Sequence, residues 1–118
     1  MTDVTQLSGD ELDKAVAIEV MGWHKDEATP VWVDQYEKYQ VSMGTWGPSL
    51  FSEFAEAIEL EIEERRLERL YVEALRALVQ TADEGEWDWT DMWKIRRAKP
   101  DQICRAALAA VRGAKEQA

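Results

Sequence analysis

The chain has 118 residues, 24 of them acidic and 14 basic, and a net charge of −10 at pH 7. That length fits one domain spanning 1–118, with enough core to need no metal or disulfide staple, and the single Cys104 has no partner for an internal bridge. No apolar stretch approaches the roughly 18–20 residues of a membrane span and no basic–apolar leader opens the chain, so the expectation is a soluble protein of a reducing, intracellular compartment.

Met1 to Gln6 reads as a short disordered lead. Ser8-Gly9-Asp10-Glu11 is a capping box, flanked by Leu7 and Leu12 where a hydrophobic staple would close. Leu12, Ala15, Val16 and Val20 then recur at helical spacing until Gly22, which predicts a helix over about 9–21. Thr29 to Val33 reads as a strand, limited by Pro30 to a strand start or an edge, with Tyr39 to Met43 as its partner. The connection Asp34–Lys38 carries no strong turn signal. Gly44, Gly47 and Pro48 mark a loop, and Ser49 is placed to cap the next helix.

From there apolar residues keep helical spacing to Val79, but they change phase. The stripe Phe51, Phe54, Ala55, Ile58, Ile62 would next fall on Arg65 or Arg66, and Leu67, Leu70, Tyr71, Ala74, Leu78 resume out of step. One long helix could slide its buried face; the phase change favours two helices broken near Glu64–Leu67, although no Gly or Pro stands there. Asp83-Glu84-Gly85 ends the region, and Trp87, Trp89 and Trp93 follow closely. Pro100 and Asp101 start a last helix with Ile103, Ala107, Leu108 and Val111 on its apolar face. Gly113 supplies its stop, and 114–118 reads as a loose, disordered tail.

Charge is divided unevenly. Residues 1–64 hold 15 acids against 3 bases, and residues 65–118 hold 9 against 11. Like charge repels phosphate, so direct nucleic-acid binding is not expected of the acidic half. A protein partner with a basic surface would be attracted, faster at low salt. The plain alternative is an acidic coat that only keeps the chain dispersed.

Candidate chemistry is sparse. Nucleophilic catalysis needs a Ser or Cys beside an activating base, and the one histidine, His24, follows Trp23 after a helix stop. It reads as a loop or packing residue, and Cys104 as a small core thiol. No zinc spacing, phosphate-cradling glycine loop or nucleophile elbow is present. No enzyme activity, cofactor or metal is expected. Three tryptophans near 87–93 suggest either core filling or a partner-binding platform, which makes Trp87, Trp89 and Trp93 secondary binding candidates.

The densest feature is the acidic run from Glu53 to Glu64. At about 100° per residue, the apolar stripe takes one side of the helix and Glu53, Glu56, Glu63 and Glu64 fall opposite, with Glu59 and Glu61 on the flanks. Leu60 lands among the acids. Glu59 and Glu63 repel at i,i+4, and only Glu61 has a well-placed cation, Arg65. Glu53, Glu56, Leu60, Glu63 and Glu64 are therefore the candidate partner-binding residues: a charged surface around a small apolar anchor.

Two segments carry a family resemblance. Leu12-Asp13-Lys14-Ala15-Val16-Ala17-Ile18-Glu19-Val20-Met21-Gly22-Trp23 resembles the opening signature of the phage ABA sandwich domain family. Ala98-Lys99-Pro100-Asp101-Gln102-Ile103-Cys104-Arg105-Ala106-Ala107-Leu108 resembles its closing segment. The chain departs from that pattern at Lys99, where a capping Thr is usual, in its long helical middle, and near Glu64–Leu67, where a Gly is common. The resemblance implies a helix-rich α+β fold, with helices packed on both faces of a small antiparallel sheet, and a phage or prophage origin. It brings no catalytic residues. The function it suggests is a non-enzymatic acidic protein in the host cytoplasm. Such a protein would block a nucleic-acid-directed defence complex, in the manner of an anti-CRISPR, by presenting carboxylates where phosphates would sit. The alternatives are a sandwich module that binds a small nucleotide-like ligand among its tryptophans, and an accessory phage protein with an acidic coat.

Overall fold

Ser8 opens the first helix as the sequence indicates: its Oγ accepts the Glu11 amide at 3.3 Å, and α1 runs over Gly9–Ala15. The structure, a computed structural model, describes residues 4–26, 28–36, 38–43, 45–49, 52–79, 93 and 95–117. At Val16 the helix widens into a π-helical turn, Val16–Val20. The Met21 amide closes it on the Val16 carbonyl (3.0 Å) and the Trp23 amide on the Ala17 carbonyl (2.9 Å). Gly22, at φ 74°, is the left-handed stop that its position predicts. Leu12, Val16, Ala17 and Val20 all end fully buried.

Three short strands follow: β1 (His24–Lys25), β2 (Val31–Val33) and β3 (Tyr39–Ser42). They form an antiparallel sheet in the order β1-β2-β3. The predicted partnership of the second and third strands holds, with Trp32 opposite Val41 and a register shift between Trp32 and Val33. β2 starts directly after Pro30, where the ring's missing N–H costs no ladder bond. Two readings need correction. His24 is not a loop residue but pairs with Val33 on an edge strand. The Asp34–Lys38 connection does contain a turn organiser: the Asp34 carboxylate accepts the Tyr36 and Lys38 amides (2.8 and 2.9 Å) and the Gln40 side chain (2.9 Å). Those donors, the Lys38 amide first, hold the Asp34 carboxyl below the usual carboxylate range.

A 3₁₀ turn, Ser52–Phe54, leads into α2 (Ala55–Glu64), and α3 follows over Glu68–Val79. The break between them is the one the phase change favours. The Leu67 amide bonds the Ile62 carbonyl (3.0 Å) and the Arg66 amide the Glu63 carbonyl (3.0 Å). This is a Schellman motif, with Leu67 and Ile62 both in the core to close it. The left-handed position that usually falls to glycine is taken by Arg66, at φ 58°. A Cβ there is strained, and the Arg66 side chain is exposed. Arg66→Gly is therefore expected to raise stability by about 0.5–1 kcal/mol, read as a higher urea midpoint at unchanged slope.

The last helix, α4 (Pro100–Gln117), organises the rest. It packs most extensively against α3 and also meets the π turn, α2, α1 and the N-terminal 3₁₀ turn Val4–Gln6. Short side chains at Ala106, Ala107 and Ala110 let neighbours approach on several sides, and Cys104, Leu108 and Val111 are buried with them. The two segments that carry the family resemblance thus lie against each other. At the ends expected to be disordered, the described residues are helical: Val4–Gln6 is a 3₁₀ turn and α4 runs to Gln117. The Arg105 guanidinium donates to the Val4 and Leu7 carbonyls and ties the lead down. Gly113 does not stop α4, which continues to Gln117, because glycine weakens a helix interior by only about 1 kcal/mol.

The fold is the expected helix-rich α+β class, with helix-on-helix contact dominating and the sheet joined to the core through Trp32. Of the predicted core, Leu12, Val16, Val20, Ile58, Ile62, Leu108 and Val111 are buried; Leu70, Leu78 and Ile103 are partly buried against it, while Tyr71 and Leu75 take the inner positions of α3.

Candidate functional site

The acidic face is built on a helix held at both ends. At its start, Phe54 packs on Trp46 with ring centroids 4.8 Å apart, and Trp46 meets Trp23 at 4.8 Å. The Trp46 indole N–H donates to the Asp13 carbonyl (2.8 Å), and the Asp13 carboxylate accepts the Ser49 amide (2.8 Å). Ser49 is therefore not the helix cap that its position suggested; it is buried and anchors the loop to α1. Along the helix, the Tyr71 hydroxyl donates to the Glu59 carboxylate at 2.8 Å. At its end, Arg65 pairs with Glu61 (3.0 Å), as spacing predicted, and also donates to the Glu19 carbonyl (3.2 Å).

Ile58 and Ile62 face the core, and the predicted site residues lie on the other side. Glu53 (in the 3₁₀ turn), Glu56, Glu63 and Glu64 are all exposed, and Leu60 is 53% exposed. Glu56 lies one turn before Leu60, and Glu63 and Glu64 one turn after. At a rise of about 1.5 Å per residue the carboxylates flank the leucine over roughly 12 Å of axis. Glu59 and Glu61 are drawn off by Tyr71 and Arg65. Among the described residues no cation pairs with Glu53, Glu56, Glu63 or Glu64. The structure thus leaves all five exposed, four of them on α2 and Glu53 in the turn before it.

The tryptophans divide. Trp32 and Trp46 belong to the core, and Trp93 is 59% exposed with the Arg97 guanidinium 5.4 Å above its ring. Trp87 and Trp89 lie outside the described residues.

Cys104 is not set up for nucleophilic attack. Cys104 is fully buried, and burial first, then the nearby Asp13 and Asp101 carboxylates, pushes its thiol up to about 12, so it stays protonated. His24 lies exposed on β1. Among the described residues no group of three His, Cys, Asp or Glu is placed to hold a metal, and no helix is long and apolar enough to cross a membrane.

Sequence reasoning missed three arrangements around this site. Asp13 points inward although it neighbours the apolar stripe rather than belonging to it. Glu19 and Arg112 form a two-pronged ion pair (3.0 and 2.9 Å) that binds the π turn to α4. Tyr71 reaches Glu59 through its hydroxyl. A capping reading makes the Ser49 hydroxyl an acceptor of helix amides, whereas its amide donates to Asp13 and its hydroxyl to the Gly9 carbonyl; the other two carry no local signal. No family model matches the chain, and neither a curated protein nor a solved structure does.

Proposed function

We propose that this chain is a non-enzymatic binding protein that docks the exposed face of α2 onto a basic protein surface. The observation that carries the reading is Leu60, half exposed on a helix pinned at both ends, with exposed Glu56, Glu63 and Glu64 one turn away and Glu53 in the turn before, none of them ion-paired among the described residues. A face that only needs to be solvated gains nothing from an exposed leucine. An interface gains an apolar anchor surrounded by groups that steer encounter. Pinning matters because a preorganised surface pays less entropy on association.

The partner class is a host complex with a groove built for nucleic acid, whose function the carboxylates block by taking the place of phosphates. The concentrated negative charge and the likeness of segments 12–23 and 98–108 to phage ABA sandwich proteins support this anti-CRISPR-like role in the host cytoplasm. The test is a panel of purified nucleic-acid-guided defence complexes, each assayed for target DNA binding with this chain as competitor. One member should be inhibited, with potency falling about tenfold or more between roughly 50 and 200 mM salt. Glu53→Lys, Glu56→Lys and Glu63→Lys together should abolish that inhibition at unchanged thermal stability. A triple variant that inhibits like the parent, or a panel with no inhibited member, would sink the reading.

A further inference from the structure

The most basic stretch of this acidic chain is Trp93-Lys94-Ile95-Arg96-Arg97-Ala98-Lys99, with four cations in seven residues and no acid. Between its described residues, the Arg97 amide closes a turn on the Trp93 carbonyl (3.2 Å) and the Ala98 amide another on the Ile95 carbonyl (3.2 Å). The first turn sets the Arg97 guanidinium over the indole of Trp93. Immediately after the second, the Lys99 amide donates to Gln102 Oε1 at 2.8 Å, which leaves both N–H donors of the Gln102 side chain to offer. Trp93, Arg97, Lys99 and Gln102, with Val79 at the end of α3, line an open depression of about 260 Å³.

The lining has a definite chemical character. Val79 gives an aliphatic wall and Trp93 a flat π surface. Arg97 and Lys99 give two cations, and Gln102 adds side-chain N–H donors. Asp101, the nearest acid along the chain, is turned toward Arg105, 3.6 Å away. A matching ligand must supply acceptors, negative charge and a flat apolar body. The volume lies just below the roughly 300–1,000 Å³ of drug-sized sites, which suits one ring system rather than a chain of them. An indole and a planar guanidinium together stack well on flat rings, and a guanidinium holds carboxylate or phosphate by paired hydrogen bonds.

We propose that this depression binds a small aromatic anion, its ring against Trp93 and Arg97 and its charged group between Arg97 and Lys99. The site shares no residue with the acidic face of α2, so either can fail without the other. Two probes of this chemistry, adenosine 5′-monophosphate and 2-naphthoate, are titrated into the full chain by calorimetry and ligand-observed NMR, with adenosine and inorganic phosphate as their halves. At least one probe should saturate, about tenfold or more tighter than uncharged adenosine or ringless phosphate. Trp93→Ala and Arg97→Ala, both at exposed positions, should each weaken it about fivefold or more while leaving the thermal melt unchanged. The proposal is overturned if neither probe saturates, if adenosine or phosphate binds as well as the probe, or if both variants bind like the parent.

Discussion

Leu108→Ala is expected to destabilise the protein by about 2–5 kcal/mol, and Ile62→Ala by a similar amount. Leu108 is fully buried and Ile62 is 1% exposed. Both belong to the cluster that joins α1, the π turn, α2, α3 and α4, where the three carbons lost from either side chain leave a cavity that several elements would have to move together to fill. Urea unfolding gives the comparison, with Leu60→Ala as the internal control. At 53% exposure Leu60 should shift stability by no more than about 0.5 kcal/mol. A loss under about 1 kcal/mol at both core sites would mean that the buried faces of α2 and α4 are misassigned.

Asp13→Ala should be the costliest polar substitution, at about 1–3 kcal/mol, because it leaves the buried Ser49 amide without its acceptor. Asp13→Asn keeps an acceptor and removes the buried charge, so it should cost less. The two forms should also differ in pH dependence. Burial is the main reason that the Asp13 carboxyl lies above its usual value, with the Asp10 charge adding to it and the Ser49 hydrogen bonds opposing. A carboxyl raised in the folded state favours folding most below its unfolded pKa of about 3.9, and that contribution is lost as pH rises through the folded value. The stability of the parent relative to Asp13→Asn should therefore be greatest near about pH 3 and fall as the pH is raised toward neutrality. A difference that stays flat, or grows with pH, would show that the hydrogen bonds from Ser49 outweigh burial.

How much of this was legible depended on how far apart the interacting groups lie in the chain. The helices and the α2–α3 break follow from spacings of three to four residues, which repetition makes visible; the strands β2 and β3 could be read from composition and alternation, but no turn signal between them fixed their pairing. The break could be seen in the phase of Ile62 and Leu67 even though Arg66 hides the glycine that normally announces it. The acidic face was equally legible, since helix geometry alone places Leu60 among Glu56, Glu63 and Glu64. What stayed hidden were single contacts across the fold. Arg105 reaches Val4 over 101 positions and Glu19 reaches Arg112 over 93, and one such contact leaves no period to detect. Ser49 was visible as a hydrogen-bonding residue, but its partner Asp13 lies 36 positions away, whereas the Asp34 turn was missed although its partners are two to six residues on.

The central place of α4 has a consequence for how the protein is made. Residues 9–79 can form local helices and hairpins as they leave the ribosome, yet α1, the π turn, α2 and α3 all pack against a helix synthesised after them. At about 5–20 residues per second, the interval from Val79 to Val111 lasts a few seconds. During it Ile58, Ile62, Tyr71 and Leu75 have no α4 to cover them. The concentrated negative charge of the first 64 residues is then an asset of a different kind: it keeps unfinished copies apart until the closing helix arrives.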